Sequence, residues 1–294
     1  MTEEKELIFV ECPRDAMQGI KSIIPTDIKV KYINHLLTIG FDILDCGSFV
    51  SPESIPQMAD TADVLNGLNL SNTQTKLLVI VANERGALRA ASFPQISYLG
   101  YPFSISETFQ RRNTNASREE AYRRLAKIQD IAKASNKEVV AYLSMAFGNP
   151  YEDSYRTEDI IAWGIKIAAL GIRTISLADT IGTATESQIA EIFSAVQNKL
   201  PHLAVGLHLH SKPLDWQNKI KTAFDNGCRR FDGALGGFGG CPMAKDELVG
   251  NIPTEYVLPW LMEASNKTNE TLNEKLNIAK SMAMLSYQGV DPTY

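Results

Sequence analysis

Several things are scarce in this sequence, and each scarcity excludes a class of protein. There are 4 cysteines in 294 residues, Cys12, Cys46, Cys228 and Cys241, and no two form a CxxC pair. A reducing, cytoplasmic setting fits this better than a disulfide framework. No apolar stretch approaches the ~18 residues of a membrane span. The opening, MTEEKELIFV, is acidic where a secretory signal needs basic residues, so no signal peptide is expected. Basic charge is not in excess: 29 Lys and Arg stand against 34 Asp and Glu, for a net charge of -5. A protein built to hold nucleic acid usually carries a basic face, so nucleic acid is not an expected partner. The turn after the first apolar run, ECPRDAMQG, is not the glycine-rich phosphate turn of a doubly wound sheet. The one glycine-rich segment lacks the GK[ST] of a nucleotide-binding loop.

What is present is a large apolar fraction, 44%, with 21% charged residues, enough for a sizeable core. Eight short apolar runs begin at Leu7, Phe41, Lys76, Ile96, Glu138, Thr174, Val205 and Arg229. Several are continuous and β-branched, as strands covered on both faces should be. Amphipathic segments separate most of them. SREEAYRRLAKIQDIAKAS places Ala121, Leu125, Ile128 and Ile131 at helical spacing behind Ser117. TEDIIAWGIKIAALG offers Thr157 as cap and Gly171 as stop, and SQIAEIFSAVQNKL ends before Pro201. Eight strand–helix alternations predict an α/β fold, a (β/α)8 TIM barrel over residues 1–250. Residues 251–294 read as a C-terminal helical extension packed on it. Such barrels often associate, which leaves a homo-oligomer open.

Active sites in these barrels lie at the C-terminal ends of the strands. Polar residues at those ends are Arg14, Asp15 and Gln18 after the first run, Asp45 after the second, and Asp179 with Thr180 after the sixth. His208 and His210 close the seventh, and Cys241 and Asn251 follow the eighth. His208-Leu209-His210 puts two imidazoles on one face of a strand. Facing inward they need partners; the opposite register puts Leu209 inside instead. Ring closure brings the first, seventh and eighth strands together, so Asp15 can meet both imidazoles, and Asn251 can add an oxygen. One carboxylate and two imidazoles with open positions suit Mg2+ or Mn2+ better than a structural zinc.

Other features admit two readings. Arg14-Asp15 is either a solvated surface pair or a metal ligand beside an oxyanion donor. Asp45 and Asp179 either cap the following turns or join the chemistry, although SPESIP offers better caps than Asp45. GGFGGCPMA, from Gly236 to Ala244, is either a flexible surface loop or a lid that carries Cys241 over the site. Cys12, Cys46 and Cys228 read as core residues, and His35 and His202 as surface helix positions. Phe109-Gln110-Arg111-Arg112 reads as a solvated helix start.

The blocks ECPRDAMQ, SFVSPESIPQMAD, SETFQRRNTNASREE, AFGNPYED, SLADTIGTAT, GLHLH, GGFGGCPMA and GNIPTEYVL occur in that order. From Leu7 to Leu261 the chain resembles the hydroxymethylglutaryl-CoA lyases, a family of metal-dependent TIM-barrel enzymes. The resemblance implies retro-aldol, Claisen-type cleavage of 3-hydroxy-3-methylglutaryl-CoA, an acyl-CoA substrate, to acetoacetate and acetyl-CoA. It implies Asp15, His208, His210 and Asn251 as ligands of a divalent cation and Arg14 as stabiliser of the enolate oxygen. Cys241 would assist proton transfer and Asp179 would be an acidic member of the site. Gln18 and Lys21 would serve the substrate, with Lys21 towards its coenzyme A end. Three departures from the family stand out: Asp45 where it carries Glu, Ser211-Lys212-Pro213 after the second imidazole, and CPMAKDELVGN as a longer, more charged loop. They leave open a sister lyase, aldolase or condensing enzyme acting on another hydroxy-acyl thioester or 2-oxo acid. A catalytically silent metal-binding barrel is the remaining alternative.

Overall fold

The computed structural model describes residues 6–212, 215–240, 249–267 and 271–287. Eight parallel strands close into a barrel in sequence order: β1 (Ile8–Glu11), β2 (Ile43–Ser48), β3 (Lys76–Ile80), β4 (Ile96–Ser104), β5 (Glu138–Ser144), β6 (Thr174–Asp179), β7 (Ala204–Leu209) and β8 (Arg230–Gly233). The helices in chain order are α1 (Pro13–Gln18), α2 (Thr26–Leu37), α3 (Thr61–Asn66), α4 (Glu84–Ala91), α5 (Glu107–Thr114), α6 (Arg118–Ala134), α7 (Thr157–Ala169), α8 (Glu186–Lys199), α9 (Trp216–Asp225), α10 (Thr254–Ala264) and α11 (Leu272–Ser286). The fold is a (β/α)8 TIM barrel, and α10 and α11 follow the last strand. No described helix is long and apolar enough to cross a membrane.

Strand alternation sorts the core into two layers. Phe9, Leu77, Leu143, Leu207 and Phe231 belong to the large cluster between strands and helices. Val10, Cys12, Ile43, Leu78, Ile80, Val140 and Tyr142 form a smaller, separate cluster inside the ring. Gly206 lies on the inner face of β7, where a Cβ would come within 2.8 Å of the Arg230 side chain. Ring closure is set by β1 pairing with β8, with Val10 beside Asp232 and Glu11 beside Gly233.

Helix ends follow local chemistry. Ser117 caps α6 in a reciprocal box with Glu120. Thr185 and Gln188 do the same for α8. On α7 the cap position falls on Arg156 rather than Thr157, which is the first helical residue; Arg156 pairs with Asp159 instead of capping. Gly171 does end that region with a φ of 87°. His202 lies in the turn after α8 and not on a helix, whereas His35 is on α2. Arg111 and Arg112 occupy the last turn of α5, not its start, while Phe109 and Gln110 are buried. There they oppose the negative end of the helix dipole. Cys12, Cys46 and Cys228 are buried free thiols.

Candidate active site

The chain leaves β1 directly into α1, a single turn and a half. Pro13 stands at its first position, where a missing N–H costs nothing and the fixed φ suits a helix. The turn is tied to the barrel rim by the Cys12 N–H, which donates to the Gly233 carbonyl at 2.8 Å. This places Arg14 and Asp15 over the barrel mouth, each less than a tenth exposed. They are therefore not a solvated surface pair.

Arg14 is the hub. Its Nε donates to both carboxylate oxygens of Asp45, at 3.2 and 3.1 Å, and its Nη2 donates to Asp45 Oδ2. Its Nη1 donates to Asp15 Oδ1 and Gln18 Oε1, both at 2.8 Å. Burial opposes the guanidinium charge, but the carboxylates of Asp45 and Asp15 outweigh it and hold the pKa above its ordinary value. Burial pushes Asp45 up to about 6 against the pull of Arg14. Burial also opposes the Asp15 charge, yet Arg14, the two imidazoles and the Asn251 amide bring Asp15 down to about 2.

His208 and His210 turn to the inside of the ring, their centroids 5.1 Å apart, while Leu209 points to the outer core. Both imidazoles line one cavity with Arg14, Asp15, Gln18 and Tyr142. Each ring has one nitrogen engaged: His208 Nδ1 meets Asp232 Oδ2 at 3.2 Å, and His210 Nδ1 meets the Val249 carbonyl at 2.8 Å. For His208, burial lowers the pKa and the Asp232 contacts outweigh it, for a net rise. For His210, burial and the neighbouring His208 lower it.

Asn251 reaches the same point from the far side of the loop after β8. The chain there runs across the rim, with Ser211 N–H donating to Gly250 O and Ala234 N–H to Ile252 O, each at 3.0 Å. Asn251 Nδ2 donates to Asp15 Oδ2 at 2.7 Å and to Phe238 O at 2.9 Å. Both amide hydrogens are thus used, and the buried Oδ1 has no hydrogen-bond partner among the described residues. Glycine is required at position 239, where φ is 120° and a Cβ would overlap the Asn251 amide nitrogen.

One ligand atom each from Asp15, His208 and His210 lies within 4.8 Å of the others. With the orphaned Asn251 oxygen beside them, the donor set is two imidazoles and two oxygens. Burial, an ionised carboxylate and hydrogen-bonded imidazoles suit a divalent cation with positions left open.

Asp179 ends β6 but does not line the cavity. Its carboxylate accepts from the backbone N–H groups of Thr183 and Ala184, at 3.0 and 2.9 Å, and from Lys219 Nζ at 3.2 Å. Lys21 is exposed just beyond α1. Cys241 lies outside the described residues, as does the loop segment 241–248. The sequence reading passed over Asp232, Lys219 and Glu11. Alternation in the β8 sequence RFDG, set beside HLH, is the signal that marks Asp232. Nothing local marks Lys219, which is buried by contacts far away in sequence.

The HMGL-like family model matches residues 7–285. The mouse mitochondrial hydroxymethylglutaryl-CoA lyase is 35% identical over 278 residues, 94% of this chain and 84% of its own. The Bacillus subtilis hydroxymethylglutaryl-CoA lyase is 34% identical over 268 residues, 91% of this chain and 89% of its own. Among solved structures, an HMG-CoA lyase from Acinetobacter baumannii, in complex with coenzyme A and 3-methylmalate, superposes with a TM-score of 0.89. It is 28% identical and the match covers 100% of this chain and 95% of that one. With a family match over nearly its whole length, the chain belongs to the HMGL-like family of lyases.

Proposed function

We propose that this protein cleaves 3-hydroxy-3-methylglutaryl-CoA to acetoacetate and acetyl-CoA. The observation that carries this reading is the convergence of Asp15, His208, His210 and the unpartnered Asn251 oxygen beside the Arg14 guanidinium. Asp15, His208, His210 and Asn251 would hold the cation, Mg2+ or Mn2+. When bound, such an ion chelates substrate oxygens and lowers the pKa of the hydroxyl.

The chain's own residues then have distinct tasks. Arg14 has five N–H donors, and its described acceptors occupy all but one, on Nη2. That remaining donor serves the thioester oxygen as it gains enolate charge. Asp45 holds the guanidinium fork in place, both its oxygens accepting from Arg14, and a general base takes the substrate hydroxyl proton. As that proton leaves, the bond between the carbinol carbon and the thioester's α-carbon breaks, and its electron pair moves to the thioester oxygen. Cys241 would return a proton to the α-carbon, giving the methyl group of acetyl-CoA. Gln18, which bonds both Arg14 and Asp15, positions the pair against substrate. The cavity wall of Val50, Ile55, Ile80 and Phe109 suits the acyl-pantetheine arm, and Lys21, exposed just beyond α1, would serve the coenzyme A end. Asp179 acts by holding the turn after β6. The free thiols of Cys12, Cys46 and Cys228 support a cytoplasmic setting.

The test is turnover of purified protein with Mg2+ or Mn2+ and 3-hydroxy-3-methylglutaryl-CoA, detecting acetyl-CoA and acetoacetate. Asp15→Ala and His208→Ala should abolish it while circular dichroism stays native. Wild-type turnover in both variants would overturn the reading. The shorter carboxylate at Asp45, drawn back onto Arg14, favours a second acyl group as the alternative. A panel of hydroxy-acyl-CoA esters and 2-oxo acids separates the two.

A further inference from the structure

Strand β8 reads Arg230-Phe231-Asp232-Gly233. Alternation sends Phe231 to the outer core and Arg230 and Asp232 into the ring that Val10, Cys12 and Tyr142 also line. Asp232 is fully buried, and its register partner on β7 is His208. Its Oδ2 lies 3.2 Å from His208 Nδ1. Its Oδ1 has no hydrogen-bond partner among the described residues. A carboxylate in that position is costly unless it serves something. The group it faces is the imidazole of a proposed cation ligand.

We infer that Asp232 is a positioning residue: its carboxylate takes the Nδ1–H of His208 and leaves Nε2 bare for the cation shared with Asp15 and His210. The inference rests on the cation reading above and assigns a residue to a different task. An imidazole without such a partner can carry its proton on either nitrogen, and only one tautomer presents a lone pair to the ion. Carboxylate acceptance fixes that tautomer, holds the ring plane, and raises the basicity of the ligating nitrogen. His210 receives the weaker form of the same support from the Val249 carbonyl, 2.8 Å from its Nδ1. That carbonyl belongs to the chain just after the loop segment 241–248, whereas Asp232 belongs to the barrel itself. His208 is therefore oriented by the rigid scaffold, and His210 by the chain that also delivers Asn251.

The experiment is Mn2+ binding, followed by electron paramagnetic resonance of the free ion, in wild type, Asp232→Asn and Asp15→Ala. The Asn variant keeps the shape and removes the charge. Its carboxamide can donate to Nδ1 and so favour the opposite tautomer. Its affinity for Mn2+ should fall by about 10–100-fold. Its metal-free unfolding midpoint should stay close to wild type, while the rise on adding Mn2+ shrinks. Wild-type affinity in Asp232→Asn beside lost binding in Asp15→Ala overturns this inference alone. Retained binding in Asp15→Ala overturns the cation reading and this inference with it. A measurement on the wild type covers a variant that fails to fold. Nitrogen-15 shifts of the metal-free protein should show His208 protonated at Nδ1, and a majority protonated at Nε2 overturns the assignment.

Discussion

At the scale of single residues, the site depends on one guanidinium and one glycine. Arg14 meets two carboxylates and one amide through a planar fork, which an ammonium cannot reproduce. Arg14→Lys should lower kcat by about 10²–10³-fold, the usual cost of a lost oxyanion donor. Steady-state kinetics with the folded variant checks this, and a kcat near wild type would remove Arg14 from the chemistry. Gly239 matters for space and not for chemistry. Its φ of 120° is one that side chains rarely adopt, and an added Cβ would also stand 3.1 Å from Asp15 Oδ2. Gly239→Ala should displace Asn251 and cost on the order of 10²-fold in kcat/KM, since catalytic geometry is sensitive at the ångström scale. Unchanged kcat/KM in this variant would show that the close approach is dispensable.

At the scale of elements, α9 is joined to the barrel by a buried lysine. Lys219 Nζ donates to Asp179 Oδ2 at 3.2 Å, Gly182 O at 3.0 Å and His210 O at 3.1 Å. Three donors meet three acceptors, linking α9, the turn after β6 and the end of β7. Lys219→Met leaves the Asp179 carboxylate buried without its cation. It should destabilise the fold by roughly 3–5 kcal/mol, as buried pairs do when one partner is removed. Urea unfolding measures this, and a loss below about 1 kcal/mol would mean the two backbone N–H groups suffice for Asp179. A smaller effect is expected at the start of α6, where Ser117 accepts from the Glu120 N–H at 3.2 Å. Ser117→Ala should cost about 1 kcal/mol in the same experiment.

At the scale of the whole molecule, Glu11 closes the structure from β1 to the last helices. Its oxygens accept from the Leu235 N–H at 2.9 Å and the Thr254 hydroxyl at 2.5 Å. Burial outweighs both hydrogen bonds and raises Glu11 from 4.5 to about 8. The folded state therefore holds this proton where the unfolded chain would release it. Stability from this source is complete below about 4.5 and is lost as pH rises towards about 8. Its slope is at most roughly 1.4 kcal/mol per pH unit. Glu11→Gln should flatten the stability curve between those values and gain on wild type as pH rises. Urea midpoints across that window check it, and parallel curves for both proteins would refute the shift.

Much of this molecule was legible in one dimension. Eight apolar runs with helices between them imply the barrel, because strands covered on both faces must be apolar throughout. The inward turn of His208 and His210 follows from period-two alternation once Leu209 is assigned outside. The local pattern did not reveal that Arg14 and Asp15 are buried, since neighbouring opposite charges look the same on a surface. Nor did it separate Asp45, held by Arg14, from Asp179, held by Lys219 and its own turn. Asp45 lies within β2 and Asp179 ends β6, and what separates them is the partners each meets in the folded chain. Sequence by itself determined the class of fold and the residues able to hold a cation, because periodicity and residue chemistry are local properties. Tertiary structure alone decided which of them meet, because β1 pairs with β8 and so joins Asp15 to Asn251 across 236 positions of chain.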